Sequence, residues 1–303
     1  MRLGYSTNSI GDIPPLDALP MLRDLGYRSI AITLDHHVLN PFGPALAAEI
    51  DRWRRALAAN GMASVIETGA RHLLDPARKH EPTLVSAHRD ERLRRVEFLR
   101  RAIDLAAALQ AGCVSLWAGV VADSADEEAI WGRLTNGLAM VLDHAGKRGV
   151  TIGFEPEPGM FIDTLARQSQ LVERLGRPDH LGLTLDIGHM ECMGERPATR
   201  VLAPRAGDVV NVHVEDMLPC RHEHLPLGSG VLDLEPILRT LAASGYAGGI
   251  HVELPRQSHR WLETARQSAR VLLPILKPPP LNTASAARPC RVDSRRPPRH
   301  PLP

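Results

Sequence analysis

The feature that most limits how this 303-residue chain can fold is a repeat of short apolar runs separated by helical stretches. Each run is rich in β-branched side chains, which is typical of a buried strand. Eight such runs occur, at residues 2–7, 29–34, 62–68, 112–118, 150–156, 181–187, 209–216 and 248–255. The segments between them, such as 89–110 and 127–149, carry apolar residues at helical spacing.

This alternation predicts parallel strands joined by right-handed crossovers, and eight strands are enough to close a barrel. We therefore predict an α/β fold in which residues 1–277 form a single (β/α)8 TIM barrel. Glycines are expected to end several helices, at Gly26, Gly61, Gly112, Gly149 and Gly245. An open doubly wound sheet is the alternative. It is disfavoured because no GxGxxG motif follows the first strand.

Residues 278–303 are rich in proline and arginine, with almost nothing to bury, so we predict a disordered tail. An anion-binding role for this tail is the alternative interpretation. The chain has a net charge of +1, and five arginines against one aspartate in the tail leave the remainder near −3. This balance does not favour a nucleic-acid partner.

The four cysteines are far apart and form no CxxC pair, so neither a disulfide framework nor a thiolate zinc site is expected. The N-terminus lacks a basic start followed by an apolar stretch, and no run of eighteen apolar residues occurs. We therefore expect a cytoplasmic protein that does not insert into membranes.

Polar side chains end each of the last four predicted strands. In a parallel barrel, reacting groups come from the C-terminal ends of different strands, so these residues are expected to converge. They are Glu155 and Glu157, Asp186 and His189, His213, Glu215 and Asp216, and His251 and Glu253.

Three carboxylates and one imidazole in this set predict a site for one divalent metal ion, because unpaired buried carboxylates are costly. The ligands would be Glu155, Asp186, His213 and Glu253. An oxygen-rich set suits manganese, magnesium or cobalt, and zinc or iron is also compatible. Ordinary polar residues at a barrel rim are the alternative, which is disfavoured because the four residues end consecutive strands.

Three neighbouring residues have less specific interpretations. Glu157 points to the same side as Glu155 and would contact substrate or pair with an arginine. His251 lies deeper in the barrel than Glu253, where a hydrogen-bonded core histidine is more common than a ligand. Glu215 would orient His213 or be solvated.

The connection at residues 67–83 is unusually long and polar for a barrel loop, which indicates a lid or a substrate-reading segment. Its cationic and imidazole side chains would bind a phosphate or carboxylate, and a solvated surface loop is the alternative. These side chains are Arg71, His72, Lys79 and His80. Trp117, at the end of the fourth strand, would stack on a sugar or pack at the rim.

The segments GFEPEPG, LTLDIGH, NVHVED and HVEL, with RHEHLPLGSGVLDL after the seventh strand, resemble the sugar phosphate isomerase/epimerase family. These proteins are xylose isomerase-like TIM barrels related to endonuclease IV. The resemblance covers roughly residues 1–275. It implies a metal-dependent isomerase or epimerase of a sugar, keto-sugar or inosose, with the four ligands proposed above.

The resemblance also implies roles for single residues. Glu155 and Glu253 would be catalytic, one removing a proton beside a polarised carbonyl and the other returning it, through a metal-stabilised enediolate. His189 would contact the substrate. Arg221 falls where the family places a substrate-binding arginine, although that loop aligns loosely.

His222 and His224 precede Gly-Ser-Gly much as an Asp-x-His pair does in endonuclease IV. With His189 they would hold a second cation, but contact with substrate or phosphate is the favoured interpretation and a solvated loop is the third. Trp117 and Ala118 stand where the strand-four histidine of that enzyme would be. A complete three-zinc cluster is therefore not expected.

Three other functions remain open at this point. The same site could serve a lyase, dehydratase or hydrolase acting on a related polyol. An endonuclease IV-like phosphodiesterase and a non-catalytic binding protein are further alternatives. We expect a sugar or cyclitol as the partner, and the resemblance makes a homodimer or homotetramer possible.

Overall fold

Residues 1–277 are described by a computed structural model of the chain, and the predicted disordered tail lies outside them. Eight parallel strands close into a barrel, so the predicted (β/α)8 fold is confirmed. The barrel strands are β1 Arg2–Ser6, β2 Ser29–Thr33, β3 Ala63–Glu67, β4 Val114–Leu116, β5 Ile152–Phe154, β6 Leu181–Asp186, β7 Val209–Val214 and β10 Gly249–Val252. Their order around the barrel is β1, β10, β7, β6, β5, β4, β3, β2.

An additional antiparallel hairpin follows β7, made of β8 Asp216–Leu218 and β9 Arg221–Leu225. The sequence predicts only a loop after the seventh strand. The hairpin carries His222 and His224 on β9, so their positions are set by main-chain pairing.

Helices surround the barrel. They are α1 Pro15–Asp24, α2 Leu46–Asn60, α3 Arg89–Leu109, α4 Glu127–Arg148, α5 Leu165–Arg174, α6 Ile187–Cys192, α7 Ala198–Leu202, α8 Leu234–Ala243 and α9 Trp261–Leu276. Short 3-10 turns occupy Thr7–Ser9, Ala203–Asp208 and Pro255–Arg260. Within residues 1–277, no helix combines the length and the apolar character that crossing a membrane would require.

Local sequence signals explain where the helices begin and end. The Asp126 carboxylate accepts a hydrogen bond from the Ala129 amide (2.8 Å) and so caps the start of α4. Gly61 and Gly149 end α2 and α4 in the left-handed conformation, as predicted. Gly112 does not serve this purpose, because Gln110 takes the left-handed position after α3, with φ at 54°.

Two separate layers form the core. The larger lies between the strands and the helices and contains fully buried side chains such as Tyr5, Leu138 and Phe154. The interior of the barrel is narrower and filled by small or polar groups; the Thr184 hydroxyl, for example, donates to that of Ser115 (3.0 Å). This polar interior leads up to the C-terminal ends of the strands, where the predicted site lies.

Candidate metal and substrate site

Four side chains from successive barrel strands meet at the C-terminal mouth. Glu155 follows β5, Asp186 ends β6, His213 lies in β7 and Glu253 follows β10. One ligand atom from each lies within 4.8 Å of those of the other three. Opposite ligands of an ion with bonds of about 2.1 to 2.5 Å are separated by roughly twice that length, so the spacing fits one divalent ion.

Burial and hydrogen bonding also make this cluster suitable for a cation. Asp186 is 2% exposed, and its Oδ1 accepts from the main-chain amide of His189 (2.9 Å), which begins α6. Its Oδ2 is buried and has no hydrogen-bond partner among the described residues. An unpaired carboxylate oxygen in the interior is costly, and coordination of a metal ion would compensate it.

The pKa shifts of Glu155 and His213 also favour a positive charge in this cluster. Burial raises the pKa of Glu155 to about 7, although the neighbouring His213 opposes this shift. Burial also disfavours a charged His213, but the carboxylates of Glu67, Glu155 and Glu253 outweigh it and raise its pKa well above the ordinary value. The protein field therefore stabilises a cation at this position.

Glu67, at the end of β3, is a further site residue that is absent from the set predicted from the last four strands. Its Oε1 lies 2.9 Å from Nε2 of His213, which donates to it. This leaves Nδ1 of His213 facing Glu155 Oε1 at 3.0 Å and Glu253 Oε2 at 3.2 Å. The available signal was a carboxylate at the end of the third apolar run, at the point where the long polar connection begins.

A hydrogen-bonded column below Glu67 fixes this arrangement. Burial lowers the pKa of His251 to about 3, so its ring is neutral. Its Nδ1 donates to Asn211 Oδ1 (2.9 Å), and its Nε2 accepts from the Ser29 hydroxyl (2.8 Å). The Asn211 amide then donates to Glu67 (3.0 Å). The interpretation of His251 as a hydrogen-bonded core histidine is confirmed.

A second cluster joins His189 on α6 with His222 and His224 on β9. Their candidate ligand nitrogens lie within 4.8 Å of one another, and Nε2 of His189 is 3.1 Å from Nε2 of His222. Glu157 lies beside this cluster, 3.5 Å from His222 and 3.7 Å from His189. It therefore approaches imidazoles, whereas one of the sequence interpretations paired it with an arginine.

The position of Glu215 fits neither predicted role, which were to orient His213 or to be solvated. Its side chain is completely buried, and neither oxygen has a hydrogen-bond partner within residues 1–277. Its Oε2 lies 3.5 Å from Nδ1 of His224, so the carboxylate is neither solvated nor bonded to His213. Burial raises its pKa well above the ordinary value. A Cβ at Gly188 would lie 1.9 Å from Glu215 Oε1, so the carboxyl requires a glycine there.

A cavity of about 610 Å³ opens above the clusters, within the range of small-molecule sites. Most of the predicted site residues line it, namely Glu155, Glu157, His189, His213, His222, His224, Glu253, Arg71 and Trp117. Arg221 points elsewhere: its side chain is 60% exposed and contacts Glu223 at 3.4 Å. Arg256 lines the cavity instead. Asn8, also missed, donates to Glu253 Oε1 (2.5 Å).

Trp117 packs at the rim while lining the cavity. The guanidinium of the buried Arg95 lies 4.6 Å from its ring centroid, and the His80 ring contacts it edge-on at 5.7 Å. The same loop that provides His80 also brings Arg71, His72 and Lys79 to the cavity. The substrate-reading role of this connection stays a prediction.

The fold and the site together define a (β/α)8 barrel with a carboxylate and imidazole centre at its C-terminal mouth. Residues 19–275 match the family model of the xylose isomerase-like TIM barrel, and the chain belongs to this family. The L-ribulose-5-phosphate 3-epimerase UlaE of Salmonella typhimurium is 27% identical over 266 residues, covering 84% of each protein.

Solved structures confirm the fold. A D-tagatose 3-epimerase-like protein superposes with a TM-score of 0.71 at 21% identity, covering 91% of this chain and 98% of its own. The IOLI protein, described with a bound zinc atom, gives a TM-score of 0.73 at 18% identity, with 91% and 98% covered. At these identities the likeness concerns the fold alone.

Proposed function

We propose that this protein is a metal-dependent isomerase or epimerase that acts on a sugar or a related keto-sugar or inosose. The observation that carries the proposal is the convergence of Glu155, Asp186, His213 and Glu253 within 4.8 Å, at a cavity of sugar size. The similarity to an L-ribulose-5-phosphate 3-epimerase supports the same reaction class.

The four residues would hold one divalent ion, and the unpaired Oδ2 of Asp186 fits this role. The carboxylate-rich set favours manganese, magnesium or cobalt, with zinc or iron as alternatives. When bound, such an ion would polarise the sugar carbonyl and stabilise the negative charge that develops on its oxygen.

The proton transfers belong to the protein's own carboxylates. Glu155 and Glu253 follow β5 and β10, which are separated in the barrel by β6 and β7, so they approach the sugar from different parts of the mouth. One would remove the proton beside the carbonyl. The other would return a proton to the opposite face, giving an epimer, or to the adjacent carbon, giving an isomer.

Neighbouring groups would position these carboxylates and the sugar. The Asn8 amide holds Glu253 at 2.5 Å and so limits its rotation. His189, His222 and Glu157 line the cavity beside Glu155 and offer polar atoms to sugar hydroxyls. His224 lines the same cavity, and we propose that it and His222 contact the substrate.

Solvent deuterium uptake into a panel of ketoses and inososes, followed by mass spectrometry, tests the proposal together with metal analysis. We expect about one divalent ion per chain and deuterium at one carbon of the substrate. Glu155→Gln and Glu253→Gln should each abolish the uptake. Glu173→Gln, at an exposed carboxylate of the outer helix α5, serves as the matched control and should leave it unchanged.

Product mass separates this function from its alternatives. Isomerisation and epimerisation conserve the mass of the unlabelled sugar, whereas a product lighter by one water would identify a dehydratase. A wild-type protein that binds no divalent ion and exchanges no substrate proton would refute the proposal and favour a binding protein.

A further inference from the structure

We propose that the mouth of the cavity contains a phosphate-binding subsite formed by Arg71, Lys79 and Arg256, so that the substrate is a phosphorylated sugar. This inference rests on the proposed function and makes its substrate class more specific. It assigns a role to three cations that the proton-transfer chemistry does not use.

The charges lining the cavity are divided by position. Carboxylates come from the strand ends, among them Glu67, Glu155 and Glu253, while the cations come from two segments beyond them. Arg71 and Lys79 belong to the long connection after β3, and Arg256 lies in the 3-10 turn after β10. An anion would be repelled by the strand-end carboxylates and attracted to the mouth, so this division would orient a sugar with one charged end.

The three cations are not committed to close ion pairs. Arg71 Nε lies 3.9 Å from Asp35 Oδ2, and Arg256 Nη1 lies 3.8 Å from Glu223 Oε1. Lys79 is exposed and has no ion pair within residues 1–277.

Arg78, the neighbour of Lys79, shows the contrast. It contacts Asp75 at 2.8 Å and Glu91 at 2.7 Å, so it holds the loop together. One of these two adjacent cations is therefore structural, and the other is available to a ligand.

Hydrogen bonds to its own main-chain carbonyls order the loop that carries Arg71. Ala70, Arg71 and His80 have left-handed backbone angles, with φ at 58°, 33° and 68°. The main-chain amide of His80 donates to the Arg71 carbonyl (2.6 Å), and Nδ1 of the His80 ring donates to the Gly69 carbonyl (2.6 Å). Residues other than glycine occupy this region only where the surrounding structure imposes it. Such preorganisation favours binding because less conformational freedom is lost.

The subsite lies close to the catalytic carboxylates. Arg71 Nη2 donates weakly to the carbonyl of Asn8 (3.4 Å), and the Asn8 side chain donates to Glu253 (2.5 Å). A single residue thus links the two regions, which suits a small sugar whose charged group is a few bonds from the reacting carbon. Two arginine forks and a lysine match a phosphate dianion better than a single carboxylate.

The first test compares kcat/KM for L-ribulose 5-phosphate and for L-ribulose. We expect the wild type to prefer the phosphorylated sugar. Arg71→Gln should lower this preference about tenfold, and Lys79→Gln about threefold because its exposed charge is more strongly screened. Lys147→Gln, on the outer helix α4, should leave it unchanged. An unchanged preference in both cavity variants would overturn the proposal.

The second test is independent of turnover. Inorganic phosphate is titrated into the full chain by calorimetry at constant ionic strength, with gluconate as a carboxylate probe. Saturable phosphate binding that weakens about tenfold in Arg71→Gln supports the subsite, even if no epimerisation is found. No saturable phosphate binding, or tighter binding of gluconate, would overturn it. If the wild-type protein binds phosphate but exchanges no substrate proton for deuterium, only the proposed function is refuted.

Discussion

Replacement of Glu67 tests how the barrel prepares His213 for metal binding. Glu67 accepts from Nε2 of His213 and thereby keeps Nδ1 directed at Glu155 and Glu253. The side chain of Glu67 is only 11% exposed, so solvent cannot readily replace it as an acceptor. A carboxylate in this position also makes the imidazole a stronger ligand.

Two variants separate the charge of Glu67 from its geometry. Glu67→Gln retains an oxygen for His213 and Asn211 but removes the negative charge. Glu67→Leu removes the acceptor and leaves the buried N–H of His213 unpaired. Loss of such an outer partner costs about 10- to 100-fold in metal affinity, or about 1.4 to 2.7 kcal/mol. We expect the glutamine variant near the lower limit and the leucine variant near the upper.

Titration of the metal-free protein with Mn²⁺, followed by calorimetry, measures both variants against the wild type. Thermal unfolding in the presence of a chelator shows whether each variant is folded. Glu173→Gln, at an exposed carboxylate of the outer helix α5, should leave the affinity unchanged. A folded Glu67→Leu variant with wild-type Mn²⁺ affinity would refute the argument that Glu67 sets the orientation of His213.

Three further predictions concern stability. Burial raises the pKa of Tyr5 from 10.0 to about 12. The neutral phenol therefore contributes about 2.7 kcal/mol to the free energy of unfolding below pH 10, and this contribution is lost as the pH rises to 12. Urea unfolding should show a smaller loss of stability at alkaline pH for Tyr5→Phe than for the wild type, and an equal loss would contradict this. Leu138→Ala, in the fully buried face of α4, should cost about 2 to 5 kcal/mol by the same measurement. Asp126→Ala should cost about 1 kcal/mol through the lost cap of α4, and an unchanged midpoint would exclude that role.

The strand and helix pattern allowed much of the fold to be predicted from local information. Each buried strand was detected because both of its faces are covered, which produces a continuous apolar run. The structure trims these runs by a few residues, as in β4, which spans Val114–Leu116 within the predicted 112–118. The hairpin was not predicted because β8 is only three residues long and β9 consists mostly of exposed and half-buried polar residues, which give no apolar periodicity.

The candidate site was predictable to the extent that its residues end strands. Glu155, Asp186 and His213 were assigned because each follows apolar residues directly, and the parallel topology brings such positions together. Arg221 and Arg256 show where this reasoning ends. Arg221 begins the hairpin strand β9 and Arg256 follows β10, and only the folded chain shows that Arg256 lines the cavity.

Local periodicity and parallel topology were sufficient to predict the order of strands and helices and the types of ligand that gather at one end of the barrel. The contact through which Glu67 orients His213, and the burial of Glu215 against His224, are visible only in the folded chain. These contacts join residues far apart in the chain. Their distances depend on how the barrel closes and on how each side chain is oriented, which no local pattern encodes.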